Sequence, residues 1–250
     1  MDIIELRQFY ASPLGRQVRR IVSRHLNALP RPPADARVLG LGFATPWLDA
    51  YRRQARATFA FMPAHQGALT WPAAEAPATA LVDESALPLP DASIDLALVV
   101  HALELTPVRE GLMEELWRVL APSGHAVFVV PNRSGLWARV EKVPFGHGRP
   151  FSRRQLEQLL KDSMFTPVAF TPMLFMPPWR GRFLGGSAAS WERLGKWLWP
   201  GFSGLLMAEA VKQVYARRPE RQRARLIPAL HPAPVGAVGA TMRPRHGEPR

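Results

Sequence analysis

The sequence contains no cysteine. A chain without thiols can form neither a disulfide framework nor a thiolate metal site. No histidine or carboxylate spacing resembles a zinc site either, so we predict no metal. The lack of cysteine fits the reducing cytoplasm, and we expect a cytoplasmic protein. At 250 residues and 47% hydrophobic composition, the chain can bury the core of one α/β domain with additions.

Long hydrophobic runs are missing as well. The sequence has no stretch of about 18 uncharged apolar residues, which is the length that a membrane-spanning helix needs. The first residues are acidic and amphipathic, and no basic segment precedes an apolar core. The sequence therefore predicts neither a transmembrane helix nor a secretory signal peptide.

Acidic residues are too few to balance the basic ones: 20 Asp and Glu stand against 32 Lys and Arg, a net charge of +12. This excess favours a polyanionic partner such as RNA or an anionic membrane surface. Arginine bias in a chain rich in Ala and Pro explains the same charge without a partner. Many of the arginines lie in residues 216–250, a Pro-rich segment that we expect to be a disordered basic tail.

Two hydrophobic periods divide the rest of the chain. Apolar residues at helical spacing between positions 3 and 29 predict two helices, with Ser12 as the N-cap and Pro13 as the first residue of the second helix. Apolar strands separated by helical intervals follow. They are predicted near 37–41, 58–62, 79–82, 94–100, 126–130, 166–175 and 205–215. Alternating strands and helices predict an α/β fold with a doubly wound, largely parallel sheet.

Residues 82–131 carry the most specific pattern. Asp83 precedes a Leu-Pro-Leu-Pro-Asp turn at 87–91, and the nearly continuous apolar strand 94–100 follows. An amphipathic helix ending in Arg-Val-Leu, an Ala-Pro-Ser-Gly turn at 121–124 and a second apolar strand complete the block. Such continuous apolar strands are typical of a parallel sheet covered on both faces.

This block closely resembles the second half of the class I S-adenosylmethionine-dependent methyltransferases of the type 11 group, and the resemblance spans about residues 37–170. It implies a Rossmann-like sheet of seven strands with the last one antiparallel, and S-adenosylmethionine as the cofactor. We therefore expect an N-terminal helical cap at 1–33, a methyltransferase domain at 34–215 and the tail at 216–250. A Trp-rich insertion is expected at 176–203 within the domain.

The glycine loop of the family, an acid followed by Gly-x-Gly-x-Gly, is matched in part. Gly40 stands where the acid belongs, Gly42 keeps the first glycine, and Ala44 and Pro46 replace the second and third. Small residues let the backbone approach a ligand closely, so the resemblance places Gly40, Gly42 and Ala44 at the cofactor. An ordinary strand-to-helix turn explains the segment equally well.

Candidates for the adenosine part follow the second and third strands. The family's ribose-binding acid is absent, which leaves Met62 for the adenine face or the core, and Gln66 for a hydrogen bond or a plain surface position. The resemblance assigns Asp83 to the adenine amino group, with Glu84 and Leu87 beside it. The alternative for Asp83 is an acid that only stabilises its turn.

Candidate catalytic residues follow the fourth and fifth strands: His101, Glu104 and Asn132. Methyl transfer needs a general base only when the acceptor is protonated, and burial or neighbouring groups must tune that base. The resemblance also places His101 beside the methionine part of the cofactor. A satisfied, partly buried histidine is the alternative.

Three functions are compatible with these residues. The first is a methyltransferase acting on an unidentified small molecule, lipid-like molecule or RNA. The second is a catalytically impaired protein of the same fold that acts as a binding or scaffold module, which the two missing acids favour. The third is a nucleotide-binding oxidoreductase, but Gly40-x-Gly42 lacks the third small residue at Thr45 and an acid after the second strand. In each case the Trp-rich insertion could contact a protein partner or a membrane surface.

Overall fold

The computed structural model describes residues 1–73, 76–178 and 202–214. Within these ranges the helices are α1 (Ile3–Ala11), α2 (Pro13–Asn27), α3 (Thr45–Arg52), α4 (Arg109–Val119) and α5 (Arg153–Asp162). The strands are β1 (Arg37–Gly42), β2 (Ala57–Pro63), β3 (Thr79–Val82), β4 (Ile94–Val100), β5 (Leu120–Pro131), β6 (Phe165–Met173) and β7 (Leu205–Lys212). Most of the predicted Trp-rich insertion and all of the predicted basic tail lie outside the described residues.

The strands form one seven-stranded sheet in the order β3-β2-β1-β4-β5-β7-β6. Strands β1 to β5 are parallel, and β7 lies antiparallel between β5 and β6. This arrangement confirms the predicted doubly wound, Rossmann-like sheet with an antiparallel last strand. The predicted turn at 121–124 is instead an irregularity within β5, because the register shifts between the Ile94↔Leu120 and Leu96↔His125 pairs.

Both faces of the sheet are buried. On β4, Leu96, Leu98 and Val100 belong to the core that packs under α1, α2 and α3. The alternate residues Ala97 and Val99 belong to a second core, which contains the apolar faces of α4 and α5. Successive side chains of a strand point to opposite faces, so a central strand covered on both sides must be apolar throughout.

Short-range capping sets where the helices begin. The Ser12 hydroxyl accepts a hydrogen bond from the Gly15 N–H at 3.0 Å, and Pro13 opens α2 as predicted. Ser152 starts α5 in the same way, with a reciprocal bond to Gln155. Such caps satisfy N–H groups that a helix leaves unpaired at its start.

Arg118 on α4 holds the Leu-Pro-Leu-Pro-Asp turn. Its guanidinium donates to the carbonyls of Leu87 and Leu89 and to the carboxylate of Asp91, at 2.7–2.9 Å. Hydrogen bonds to Glu115 and Asp91 raise the pKa of Arg118 above its usual value. The turn that follows β3 is thereby tied to the helix that follows β4, which positions the neighbouring residues at the edge of the sheet.

No helix in the described ranges has both the length and the apolarity needed to cross a bilayer.

Candidate functional site

The carboxyl ends of five parallel strands meet at one edge of the sheet. They are, in sheet order, Val82, Pro63, Gly42, Val100 and Pro131. Open α/β sheets bind their ligands outside this edge, where the strand order changes direction. The predicted site residues all lie in or just after these strand ends, and the structure determines which of them come together.

His101 and Glu104 form a buried hydrogen-bonded pair after β4. His101 Nδ1 lies 3.0 Å from Glu104 Oε1, and His101 Nε2 lies 2.9 Å from the Tyr10 hydroxyl. The tautomer that satisfies both contacts with an ionised Glu104 carries its proton on His101 Nδ1 and accepts from Tyr10 at Nε2. Burial raises the pKa of Tyr10 well above its usual value, and the Glu104 charge adds to the rise. The phenol therefore stays protonated near neutral pH.

The backbone at the ends of β1 and β4 is strained, and the two strands approach each other closely there. His101 has φ +53°, an uncommon conformation for a residue with a side chain. Gly42 has φ +78°, and a Cβ at that position would lie 2.3 Å from the Val100 carbonyl oxygen. Strain of this kind concentrates at functional sites, where the surrounding structure maintains it.

An aromatic cluster from α1, α3 and two connecting segments surrounds His101. Tyr10 stacks on Phe43 with ring centres 5.3 Å apart and 18° between the planes, and the edge of Trp47 contacts it from another side. Phe145 lies 5.1 Å from the His101 ring. His101 is 1% exposed as a result. Sequence reasoning missed Tyr10 and Phe43 because apolar spacing marks the buried face of α1 without indicating which strand ends it covers.

The segment after β2 supplies one buried polar group and one core residue. Gln66 is 1% exposed, so the surface interpretation of this residue is wrong. Its Nε2 donates to the His101 backbone carbonyl at 2.8 Å, and the backbone carbonyl of Gln66 accepts from the Ile3 N–H at 2.8 Å. Met62 is fully buried in the core, and its sulfur accepts from the Leu69 N–H. The core interpretation of Met62 is therefore confirmed.

The two acids after β3 differ in environment. Asp83 is exposed, and its carboxylate accepts from the Ser85 N–H at 2.9 Å and the Ser85 hydroxyl at 2.6 Å. Both bonds hold the pKa of Asp83 below its usual value. Glu84 is buried, with its carboxylate 3.1 Å from His65 Nδ1. Leu87 packs in the core beside them. In the present conformation Asp83 stabilises its turn, whereas Glu84 points into the protein.

Asn132 and the two small residues of the glycine loop have evident packing roles. The Asn132 amide donates to the Ser203 hydroxyl at 3.0 Å. A Cβ on Gly40 would lie 2.5 Å from Leu48 Cδ1, so glycine lets α3 pack closely on β1. Ala44 is buried at the start of α3.

Three buried acceptor atoms at the site have no hydrogen-bond partner among the described residues. They are Gln66 Oε1, Glu84 Oε1 and Glu104 Oε2, one after each of β2, β3 and β4. A buried acceptor without a partner costs on the order of 1–3 kcal/mol, so each favours a ligand that donates. S-adenosylmethionine carries donors in its amino group, its two ribose hydroxyls and its adenine amino group. The donor and acceptor chemistry therefore fits this cofactor. No group of metal-ligating residues occurs in ranges 1–73, 76–178 and 202–214.

Comparison with known proteins identifies the same fold and family. The model of a family described as "Methyltransferase domain" matches residues 11–169. A SAM-dependent methyltransferase from Thermotoga maritima superposes with a TM-score of 0.58 at 17% identity, covering 84% of this chain and 96% of that one. A Haloferax volcanii complex of the activator Trm112 with a protein assigned as a methyltransferase gives 0.60 at 15% identity, covering 85% and 99%.

Another similar structure contains a bound cofactor product. Geranyl diphosphate C-methyltransferase from Streptomyces coelicolor, in complex with Mg²⁺, geranyl diphosphate and S-adenosyl-L-homocysteine, superposes with a TM-score of 0.55 at 13% identity. The alignment covers 76% of this chain and 79% of that one. No curated protein sequence matches the chain. At these identities the structural likeness establishes the shared fold, and the family match rests on the sequence of residues 11–169.

Proposed function

This chain belongs to the methyltransferase domain family, whose cofactor is S-adenosylmethionine, and from that premise we propose that it methylates an acceptor held beside His101. The observation that best supports this proposal is the set of three buried acceptor atoms after β2, β3 and β4 that have no hydrogen-bond partner among the described residues. They lie at the edge where this fold binds ligands, and they complement the donors of the cofactor.

The residues divide between the two ends of the cofactor. Glu104 Oε2 accepts from the amino group of the cofactor and so replaces the missing acid of the glycine loop. Gly42 lies at the end of β1, where that strand approaches β4 closely. Gln66 and Glu84 take ribose hydroxyls in place of the missing acid after β2. Asp83 accepts from the adenine amino group beside Leu87. S-adenosylmethionine supplies an electrophilic methyl group on a sulfonium, and the chain contributes positioning and proton transfer.

His101 is the proposed general base. Glu104 holds the Nδ1 proton, which leaves Nε2 free to accept a proton once an acceptor hydroxyl or amine replaces the Tyr10 hydroxyl there. With the cofactor bound, His101 Nε2 would take the proton that the acceptor hydroxyl or amine loses as it gains the methyl group. Glu104 then stabilises the imidazolium, as the acid does in other His–carboxylate pairs.

A second candidate is a binding module that has lost catalysis. The tight stack of Tyr10 on Phe43, together with the Tyr10–His101 hydrogen bond, favours it because these groups fill the space above β1 and β4. In that case the aromatic cluster stays packed and the chain takes up no cofactor.

Calorimetric titration with S-adenosyl-L-homocysteine separates the two candidates. We expect saturable binding of the full chain in the range of tens of micromolar or weaker, because the family's two acids are missing. Glu104→Gln should weaken binding about tenfold, since one hydrogen bond to a charged group contributes about 1.5–3 kcal/mol. Glu141→Gln, at an exposed position, is the charge-matched control and should leave the affinity unchanged. Absence of heat and of a thermal shift at millimolar ligand would support the binding module.

Asp83→Ala tests the adenine contact. We expect about tenfold weaker S-adenosyl-L-homocysteine binding with an unchanged circular dichroism spectrum, because one charge-assisted hydrogen bond is lost. Ser85→Ala is the matched control, since it removes a turn partner of Asp83 and keeps the carboxylate. Equal weakening by both substitutions would mean that the turn, and not the carboxylate, affects the cofactor. If Asp83→Ala leaves the affinity for S-adenosyl-L-homocysteine unchanged, Asp83 only stabilises its turn.

A further inference from the structure

A basic surface pocket lies beside the candidate site. Its volume is about 440 Å³, and Arg109, Arg133 and Arg149 converge on it. Phe151 and Leu159 supply an apolar wall. We call this feature the arginine pocket. No acidic residue lines it, and none of its arginines forms an ion pair within the described ranges. The pocket therefore concentrates positive charge that no lining carboxylate offsets.

The concentration of positive charge in the pocket is unfavourable for Arg109. Its Nε is buried without a hydrogen-bond partner among the described residues, while its guanidinium lies 4.9 Å from the centre of the Phe151 ring. Burial, together with the charge of Arg149, lowers the pKa of Arg109. A buried donor without a partner and like charges close together both destabilise the folded state. An anion in the pocket would relieve both.

Two helix starts add to the positive potential. Arg109 is the first residue of α4, and no side chain caps that end of the helix. Gln155, in the first turn of α5, also lines the pocket. Helix N-termini carry partial positive charge, which favours anions, and the uncapped start of α4 also leaves N–H groups available to them, whereas α5 is capped by Ser152.

The pocket shares backbone with the proposed catalytic residues. The Arg149 N–H donates to the Glu104 carbonyl at 2.8 Å, so the lining of the pocket contacts the backbone of Glu104. Arg133 follows Asn132 at the end of β5, and its N–H donates to the Phe151 carbonyl at 2.9 Å. A molecule anchored in the pocket is therefore close to the edge of the sheet where methyl transfer is proposed.

We propose that the arginine pocket binds the phosphate group of the methyl acceptor, which makes that acceptor a small phosphorylated molecule. Guanidinium groups match phosphate oxygens in paired hydrogen bonds, and three of them more than offset the two negative charges of a phosphate dianion. Phe151 and Leu159 contact the carbon skeleton next to the phosphate. The assignment of the ligand as acceptor rests on the proposed methyltransferase function, whereas the phosphate site itself does not.

Titration of the full chain with glycerol 3-phosphate and with inorganic phosphate, at fixed ionic strength, tests the pocket. We expect saturable binding of glycerol 3-phosphate that the double variant Arg133→Gln, Arg149→Gln weakens at least about tenfold. Both side chains are exposed, so the variant should fold, and Arg109 is left in place because it is half-buried. Arg154→Gln, an exposed neighbour on α5 outside the pocket, removes the same kind of charge and should change the affinity less than about twofold.

Each of the other outcomes either overturns the proposal or separates it from the proposed methyltransferase function. Equal weakening by Arg154→Gln would reduce the effect to the general positive field, and non-saturable heat would mean no site. Binding only to phosphatidylcholine vesicles containing phosphatidic acid, and to neither soluble phosphate, would replace the small acceptor by a membrane lipid. S-adenosyl-L-homocysteine is titrated in parallel. Its retained binding alongside absent phosphate binding overturns this inference alone, and the reverse result overturns the proposed function and keeps the phosphate site.

Discussion

Gly42→Ala is expected to lower the free energy of unfolding by about 3–5 kcal/mol and to abolish S-adenosyl-L-homocysteine binding. The residue has φ +78°, where a side chain is strained. Its new methyl group would also lie 2.3 Å from the Val100 carbonyl oxygen and 3.0 Å from Ala102 Cβ. Either β1 separates from β4 at the site or the loop moves into the space of the ligand. Urea unfolding and calorimetry measure the two effects.

Gly67→Ala is the matched control. Its φ is +86°, but its Cβ would meet only Ile3 Cγ2, at 3.4 Å, an ordinary contact distance. The cost of placing a side chain at positive φ is therefore the same, but the new methyl group meets no backbone atom. We expect the free energy of unfolding to fall by only about 1–2 kcal/mol. Similar losses in the two variants would contradict the claim that close approach of β1 to β4 requires glycine at position 42.

Trp137→Ala is expected to cost about 3–5 kcal/mol of unfolding free energy, the range measured when large buried aromatic side chains are truncated. Trp137 is 1% exposed, and its indole N–H donates to the Met176 carbonyl at 2.6 Å. Its ring packs against Phe145 at 5.6 Å, and Phe145 lies 5.1 Å from the His101 ring. The substitution removes support for the aromatic cluster, so cofactor binding should weaken together with stability.

Trp117→Ala provides the comparison for this effect. Trp117 is half-buried on α4, where it donates to the Gln213 carbonyl and lies under the Lys212 ammonium at 4.2 Å. It packs against the other core of the sheet, and a cation–π pair with a buried lysine contributes about 1–2 kcal/mol. We expect a small loss of stability and unchanged cofactor affinity. A loss as large as that of Trp137→Ala would mean that Trp137 has no special supporting role.

The sheet could be predicted because its determinants are local. The run from Ile94 to Val100 is apolar at every position except Asp95, whose carboxylate accepts from the Arg37 N–H at 2.7 Å. Such a run requires cover on both faces, and hence helices on both sides. Ser12 and Ser152 marked helix starts through bonds that span three residues. The extent of β5 was less legible, because the Ala-Pro-Ser-Gly segment reads as a turn while the ladder with β4 continues around it.

The candidate site could be predicted only in part. His101 and Glu104 are three residues apart, so their pairing is local and the sequence brought both forward. Asn132 was proposed because it follows the fifth strand, and its hydrogen bond to Ser203 joins residues 71 positions apart, which the sequence did not predict. Tyr10 is 91 residues from His101 in the chain, and their hydrogen bond depends on how α1 crosses the strand ends. No local pattern encodes such a crossing.

By itself, the amino-acid sequence determined the α/β class, the order of strands and helices, the family and two of the residues at the strand ends. Each of these depends on periodicity, capping or a continuous motif, all of which act over a few residues. Only the tertiary structure decided that Tyr10 and Phe145 lie against the His101 ring and that Gln66 is buried. It also decided that arginines from three separate loops and helix starts share one pocket. Burial and convergence of charge are properties of the packed sheet edge, where segments distant in sequence are brought together by the cores on either side.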